Sequence, residues 1–155
     1  MLNLENKKNN LEILISTTKK NNLDFIERIF FENNYENFPI LIINQSQGTL
    51  KNSTKENIKI INSDSIGISN SRNLAIEHSS EKYCLFADDD IVYKKGFYEL
   101  VLKEFEQNKY ADVITFMMED ENGNLFKDYT NISKHNKKSI RAVSYTHLRA
   151  HETAT

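Results

Sequence analysis

Apolar residues in the first two thirds of the chain form short uninterrupted runs that alternate with segments of helical periodicity. Uninterrupted runs predict buried strands, whereas apolar residues that recur every three or four positions predict amphipathic helices. Strands that alternate with helices predict an α/β fold with a mostly parallel sheet covered on both faces. The predicted strands are 11–15, 40–43, 58–61 and 83–87, and the predicted helices lie near 23–30, 68–76 and 97–105.

Beyond the third helix the pattern predicts a β-hairpin. Residues 112–118 form an apolar run, Asn122-Gly123 is a strong turn signal, and residues 125–127 provide a second extended segment. We therefore expect 112–118 to be a fifth strand that pairs with 125–127. The acidic residues 119–121 are interpreted as charges that keep the hairpin soluble, and not as a catalytic base.

Each of the four earlier strands ends in polar residues. Carboxyl ends of parallel strands meet at one edge of a sheet, and open α/β sheets bind ligands at that edge. Strands also end in polar residues simply because loops are solvated, so the pattern alone does not identify a site. The polar ends are 16–18, 44–46, 62–64 and 88–90.

Three consecutive acids, Asp88, Asp89 and Asp90, directly follow the fourth apolar run. Adjacent carboxylates repel one another and destabilise the end of a buried strand unless a cation or a hydrogen-bonded ligand lies among them. If the backbone stays extended, Asp88 and Asp90 face one side and Asp89 faces the other. Two carboxylates on one side suit a hard divalent cation, whereas most runs of charge are only solvated loops.

Arg72 and Asn73 fall in the first turns of the helix after the third strand. Free backbone N–H groups at a helix start favour an anion, and Arg72 can clamp a phosphate oxygen. The alternative is a surface ion pair between Arg72 and Glu77 or Asp64. A cation site and an anion site near one edge together suit a nucleoside diphosphate held through a bridging metal.

Composition narrows the classes of protein and compartment. The 155 residues fit one domain or part of a larger one, and a net charge of -2 indicates neither nucleic acid nor anionic lipid as the main partner. The single cysteine, Cys84, fits a reducing compartment. The start of the chain is polar and no apolar run reaches the ~20 residues of a membrane-spanning helix, so we expect no transmembrane segment. We expect a cytoplasmic protein, either free or peripheral at the inner membrane in its full-length form.

The two segments 65–76 and 83–90, with their mutual spacing, resemble the family 2 glycosyltransferases of GT-A fold. The features that carry the resemblance are Gly67, the Arg72-Asn73 pair that opens a helix, and a strand that runs into an Asp-x-Asp motif. The resemblance spans roughly 11–141. It implies a GT-A, Rossmann-like fold and an enzyme that transfers a sugar from a UDP- or GDP-type donor to a glycan or other hydroxyl acceptor, usually with inversion.

The resemblance also implies roles for particular residues and a cofactor, Mg²⁺ or Mn²⁺. Asp90 would bind the metal that bridges the donor diphosphate, and Asp88 would hold the ribose or support the metal. Thr17 and Asn44 would flank the base, and Arg72 would lie near the nucleotide. The implied donor-binding residues are Thr17, Asn44, Asp64, Arg72, Asn73, Asp88 and Asp89.

Two positions depart from the pattern of that family. Its first strand commonly ends in a proline and a Tyr-Asn pair, whereas this chain has Ser-Thr-Thr-Lys at 16–19. Its second strand usually ends in an aspartate that reads the base, whereas this chain has Asn44. The identity of the donor base is therefore left open.

The final residues, 143–155, resemble a translated transposase adapter from sequencing libraries, and we interpret them as a non-native tail. His147 and His151 lie four positions apart, a spacing that would otherwise suggest a metal site, and we reject that site. Residues 1–142 would then be the nucleotide-sugar-binding part of the domain. The acceptor pocket and catalytic base are expected farther along the natural chain.

Two other functions are compatible with the acidic edge. A nucleotidyltransferase has a related sheet but usually carries a glycine-rich phosphate loop after the first strand, and residues 16–20 contain no glycine. A non-catalytic module would use the acids only to bind Ca²⁺ or a protein partner. Nucleic acid is not an expected partner in any of these cases.

Overall fold

The computed structural model describes residues 10–45, 50–51, 53–120 and 122–125. Every predicted strand and helix before residue 108 is present in it, and the predicted α/β class is confirmed. In chain order the elements of this part are β1 (Leu11–Thr18), α1 (Asp24–Ile29), β2 (Ile40–Gln45), β3 (Ile58–Ser63), α2 (Ile68–His78), β4 (Tyr83–Asp88) and α3 (Phe97–Gln107), with a short 3-10 turn at Tyr35–Asn37.

The four strands form one sheet in the order β3-β2-β1-β4, and every neighbouring pair is parallel. The chain moves outward from β1 through β2 to β3 and then returns to the other side of β1 as β4. The carboxyl ends of β1 and β4 therefore flank the point where the direction of winding reverses, which is where open α/β sheets bind ligands. In the register of this pair, Ser16 lies opposite Asp88.

Both faces of the sheet are covered, but unequally. On one face, Ile13 and Ile15 of β1 pack with apolar residues of α1 and α3 in the larger core cluster. On the other face, Leu14 and Leu41 pack beneath Ala75 of α2 in a smaller cluster. Each fully buried leucine or isoleucine contributes roughly 1.5–3 kcal/mol, so the alternation of β1 between the two clusters fixes its orientation.

The prediction of a fifth strand is wrong for the described residues. Residues 112–118 are not a strand, although Phe116 and Met118 are buried, because burial on one side produces an apolar pattern without a strand ladder. The predicted turn is present: a single antiparallel bridge joins Glu119 to Leu125, and Gly123 has a φ of +80°. Residues 126 and 127 lie outside the described part.

No helix in the described ranges is long and apolar enough to span a bilayer; the longest of them, α2 and α3, have 11 residues each. The segment interpreted as a tail, 143–155, with His147 and His151, lies outside the residues that the structure describes. The proposed boundary at residue 142 therefore stays a prediction.

Candidate functional site

The three consecutive acids lie at the carboxyl end of β4, next to the carboxyl end of β1. The strand ends at Asp88, and Asp89 and Asp90 form a turn. The extended backbone therefore stops at the first acid. The expected alternation of side chains along 88–90 depended on that extended backbone. Asp88 and Asp89 contact different elements, and Asp90 is exposed.

Arg72 of α2 forms an ion pair with Asp88, with 3.5 Å between Nη2 and Oδ1. The guanidinium also lies 5.4 Å from the centre of the Phe86 ring, two positions earlier on the same side of β4. The arginine thus lies beside the acids and pairs with neither Glu77 nor Asp64, the alternatives that its sequence position allowed. Both partners stay partly exposed, so the ion pair itself contributes little stability.

Asp89 points towards the loop that follows β1. Its carboxylate accepts a hydrogen bond from the Thr17 hydroxyl and pairs with the Lys20 ammonium, with 3.0 Å between Nζ and Oδ2. Arg28 of α1 donates to the Asp89 carbonyl oxygen at 2.7 Å. The turn of acids is therefore attached to β1, to the following loop and to α1.

Lys20 and Arg28 contact the acids, and the sequence alone did not lead to either of them. Lys20 carried an available signal, because a lysine close after the polar end of the first predicted strand lies at the same edge as the acids. Arg28 carried none, because a position within a helix does not reveal which distant loop the side chain reaches.

Asn44 is completely buried, and its amide joins three elements. Its Oδ1 accepts from the Lys20 N–H at 3.1 Å, and its Nδ2 donates to the Lys20 carbonyl at 3.1 Å and to Asn62 Oδ1 at 3.0 Å. Asn62 in turn bonds both backbone polar groups of Leu50. Because the Asn44 side chain is completely buried, it presents no surface to a nucleobase, and the structure does not favour its expected contact with the base.

Gln45 fixes the start of the helix that carries Arg72. Its Nε2 donates to the Thr17 carbonyl at 3.4 Å, and its Oε1 accepts from the Gly67 N–H at 2.8 Å. Gly67 has a φ of +124°, a conformation that side chains disfavour, and α2 begins at the next residue. The buried glutamine thereby sets the position of α2 relative to the ends of β1 and β2.

Two other expected donor-binding residues are not brought to the acids. Asp64 is exposed in the connection after β3, and Asn73 is exposed on α2. Neither forms a hydrogen bond or ion pair with Asp88, Asp89 or Asp90 within the described ranges. Their involvement in donor binding stays a prediction.

Tyr93 is a buried neutral phenol near the acids. Burial raises its pKa, and the negative charge of Asp88 raises it further. Its ring stacks on Phe97 with centroids 4.0 Å apart, and its N–H donates to the Ile29 carbonyl at 2.8 Å. Its Oη is buried and has no hydrogen-bond partner among the described residues.

A divalent cation at the acids would need ligands beyond the described side chains. The described ranges contain no group of three or more histidine, cysteine or acidic side chains that could hold a metal by themselves. Mg²⁺ prefers oxygen ligands and is commonly bound by one or two carboxylates together with phosphates and water. Asp88 and Asp90 provide ligands of the correct chemistry, and a diphosphate would have to provide others.

The chain matches the family model described as glycosyl transferase family 2 over residues 6–153, which includes both segments of the resemblance. The matched range overlaps residues 143–153, whose interpretation as a non-native tail stays a prediction. Searches of curated proteins and of solved structures return no match.

Proposed function

Because the chain belongs to glycosyl transferase family 2, we propose that the carboxyl edge of its sheet binds a nucleotide-diphosphate sugar for transfer to an acceptor hydroxyl. The observation that carries the proposal is the pairing of Arg72 with Asp88 beside the reversal point between β1 and β4. A donor that contains both a diphosphate and a bridging cation has partners for each of these charges.

Arg72 would exchange its ion pair with Asp88 for a phosphate oxygen of the donor. The released Asp88 would then hold the ribose or support Mg²⁺ or Mn²⁺, with the exposed Asp90 as the other metal ligand. The cation would supply Lewis-acid stabilisation of the diphosphate leaving group. Thr17 would act indirectly, because its buried hydroxyl is already donated to Asp89.

No catalytic base is assigned among the described residues. Hydrogen bonds from Asn124 lower the pKa of Asp120, which makes that carboxylate a poor proton acceptor. Glu119 contacts the Lys94 ammonium. Asp120 thus stabilises the hairpin turn and Glu119 is paired with a lysine, so neither is assigned as the base, and their interpretation as charges that keep the hairpin soluble stays a prediction.

The proposal predicts metal-dependent binding of UDP or GDP. Calorimetric titration with and without Mn²⁺ should show binding that requires the metal. Asp90→Ala should weaken it by about tenfold or more, because loss of one charged ligand exceeds ~1.4 kcal/mol. Asp112→Ala is the matched control, because Asp112 is an exposed acid outside the site, and it should bind as the wild type does.

Equal affinity with and without metal would contradict the proposal, as would an Asp90→Ala variant that binds normally. A thermal-shift series adds a separate test. Stabilisation by nucleoside diphosphate with Mn²⁺ supports a transferase, whereas stabilisation by Ca²⁺ alone would indicate a non-catalytic cation-binding module.

A further inference from the structure

The loop after β1 holds one lysine in a fixed position beside the acids. Both backbone polar groups of Lys20 are bonded to the Asn44 side chain, which is itself completely buried. Lys19, immediately before it, adopts the left-handed conformation with a φ of 55°, and its N–H donates to the Gln45 carbonyl at 3.2 Å. The backbone from which the Lys20 side chain extends is therefore attached to the end of β2.

The Lys20 ammonium is near the acids yet accessible to solvent. It lies 3.0 Å from Asp89 Oδ2 and 5.5 Å from the centre of the Phe25 ring, and the side chain is 33% exposed. An ion pair of this exposure is worth little in itself. The ammonium can therefore exchange the carboxylate for a more strongly charged anion without a large loss of stability.

The balance of charge at this edge of the sheet favours a second basic side chain besides Arg72. Three carboxylates and a diphosphate together carry more negative charge than one divalent cation and one guanidinium can neutralise. Within the described part of the chain, Arg28 approaches from α1 and donates to the Asp89 carbonyl oxygen and not to a carboxylate. Of the described basic side chains, Lys20 is the one with an ion pair to Asp89, which lies in sequence between the two acids proposed to hold the metal.

From these observations we infer that Lys20 is a phosphate-binding residue of the site, and that its ammonium contacts the diphosphate of the bound donor. This inference rests on the proposed function and adds a residue to it. Lys20 and Arg72 would then contact the diphosphate from opposite sides, one from the β1 loop and the other from α2.

The test measures binding of pyrophosphate and of UDP at saturating Mn²⁺, because pyrophosphate has no base or sugar. Lys20→Met keeps an unbranched side chain over Phe25 and removes the charge. This variant should lower the affinity for both ligands by about tenfold, because one charge-assisted contact is lost. Lys20→Arg should retain most of the affinity.

Lys19→Met is the matched control, because it removes the same charge from the adjacent exposed lysine. It should change either affinity by less than about twofold, as expected for a screened exposed charge. Equal affinities for Lys20→Met and Lys19→Met would overturn the inference.

A separate titration with Mn²⁺ alone distinguishes direct contact from positioning of Asp89. Direct contact predicts that Lys20→Met leaves the affinity for Mn²⁺ unchanged or slightly increased, because a neighbouring cation has been removed. A parallel loss of Mn²⁺ affinity would show that Lys20 acts through Asp89 and would overturn the inference. If the wild type binds neither ligand, the proposed function fails and this inference fails with it.

Discussion

At the scale of the single residue, Tyr93 and Tyr98 bury similar phenol rings but differ in what their hydroxyl groups contact. Tyr98 donates to the Leu11 carbonyl at 2.6 Å, whereas the Tyr93 hydroxyl has no partner among the described residues. A buried hydroxyl that lacks a partner costs stability, whereas one that is bonded contributes to it. The two tyrosines therefore form a matched pair for mutation.

Tyr98→Phe should lower the free energy of unfolding by about 1 kcal/mol, because it removes a buried hydrogen bond and leaves the Leu11 carbonyl unpaired. Tyr93→Phe should leave that free energy unchanged or raise it slightly, because it removes only an unsatisfied group. Urea unfolding monitored by circular dichroism measures both. A loss for Tyr93→Phe as large as that for Tyr98→Phe would show that the Tyr93 hydroxyl has a partner.

At the scale of the elements, Asn44 joins the end of β2 to the loop after β1 and to Asn62 at the end of β3. Both contacts use the amide as a donor, which an ionised carboxylate cannot be. Asn44→Asp should therefore lower the free energy of unfolding by about 1–3 kcal/mol at pH 7, because a buried charge would face two acceptor oxygens.

This loss should depend on pH. The new carboxyl needs a proton to donate, so its pKa in the folded state is raised above the unfolded value of about 3.9. The part of the destabilisation that comes from ionisation is then absent below that value and grows as the pH rises through the folded pKa. Urea unfolding at pH 4.5 and pH 7 should show the larger deficit at pH 7. Asn44→Ala is the control, and its deficit should be the same at both values.

At the scale of the whole molecule, the larger core cluster keeps buried tyrosines protonated. Burial raises the pKa of Tyr98 to about 12, although the hydrogen bond to Leu11 opposes this, and burial likewise raises the pKa of Tyr93. Unfolded tyrosine titrates near 10. The unfolded chain therefore loses these protons first, and the stability that they contribute is present below pH 10. The part due to Tyr98 is lost between about pH 10 and 12, and the part due to Tyr93 continues to be lost as the pH rises further.

The free energy of unfolding should fall across that window by about 1.4 kcal/mol per pH unit for each such tyrosine. Urea unfolding at pH 9, 10 and 11, with tyrosinate absorbance recorded in parallel, measures the slope. The double variant Tyr93→Phe and Tyr98→Phe should have a shallower slope than the wild type. An unchanged slope would mean that other groups control the alkaline loss of stability.

The sequence by itself determined the elements and the edge at which the site lies. Apolar runs specified the four strands because each strand is buried by the sheet, and the parallel arrangement then required their polar ends to meet at one edge. Gly67, Arg72 and the acids at 88–90 are close along the chain, so their resemblance to the family was visible without a structure. The apolar pattern failed at 112–118 because it reports burial and not strand pairing.

The tertiary structure alone decided which side chains contact one another at that edge. The strand order places β1 beside β4, so Thr17 and Lys20 reach Asp89 across 72 and 69 positions of sequence. The same packing buries Asn44 and bonds its amide to the loop after β1, although the position of Asn44 at a strand end suggested contact with a ligand. Hydrogen-bond partners depend on distances of a few ångströms between elements, and no periodicity along the chain encodes such distances.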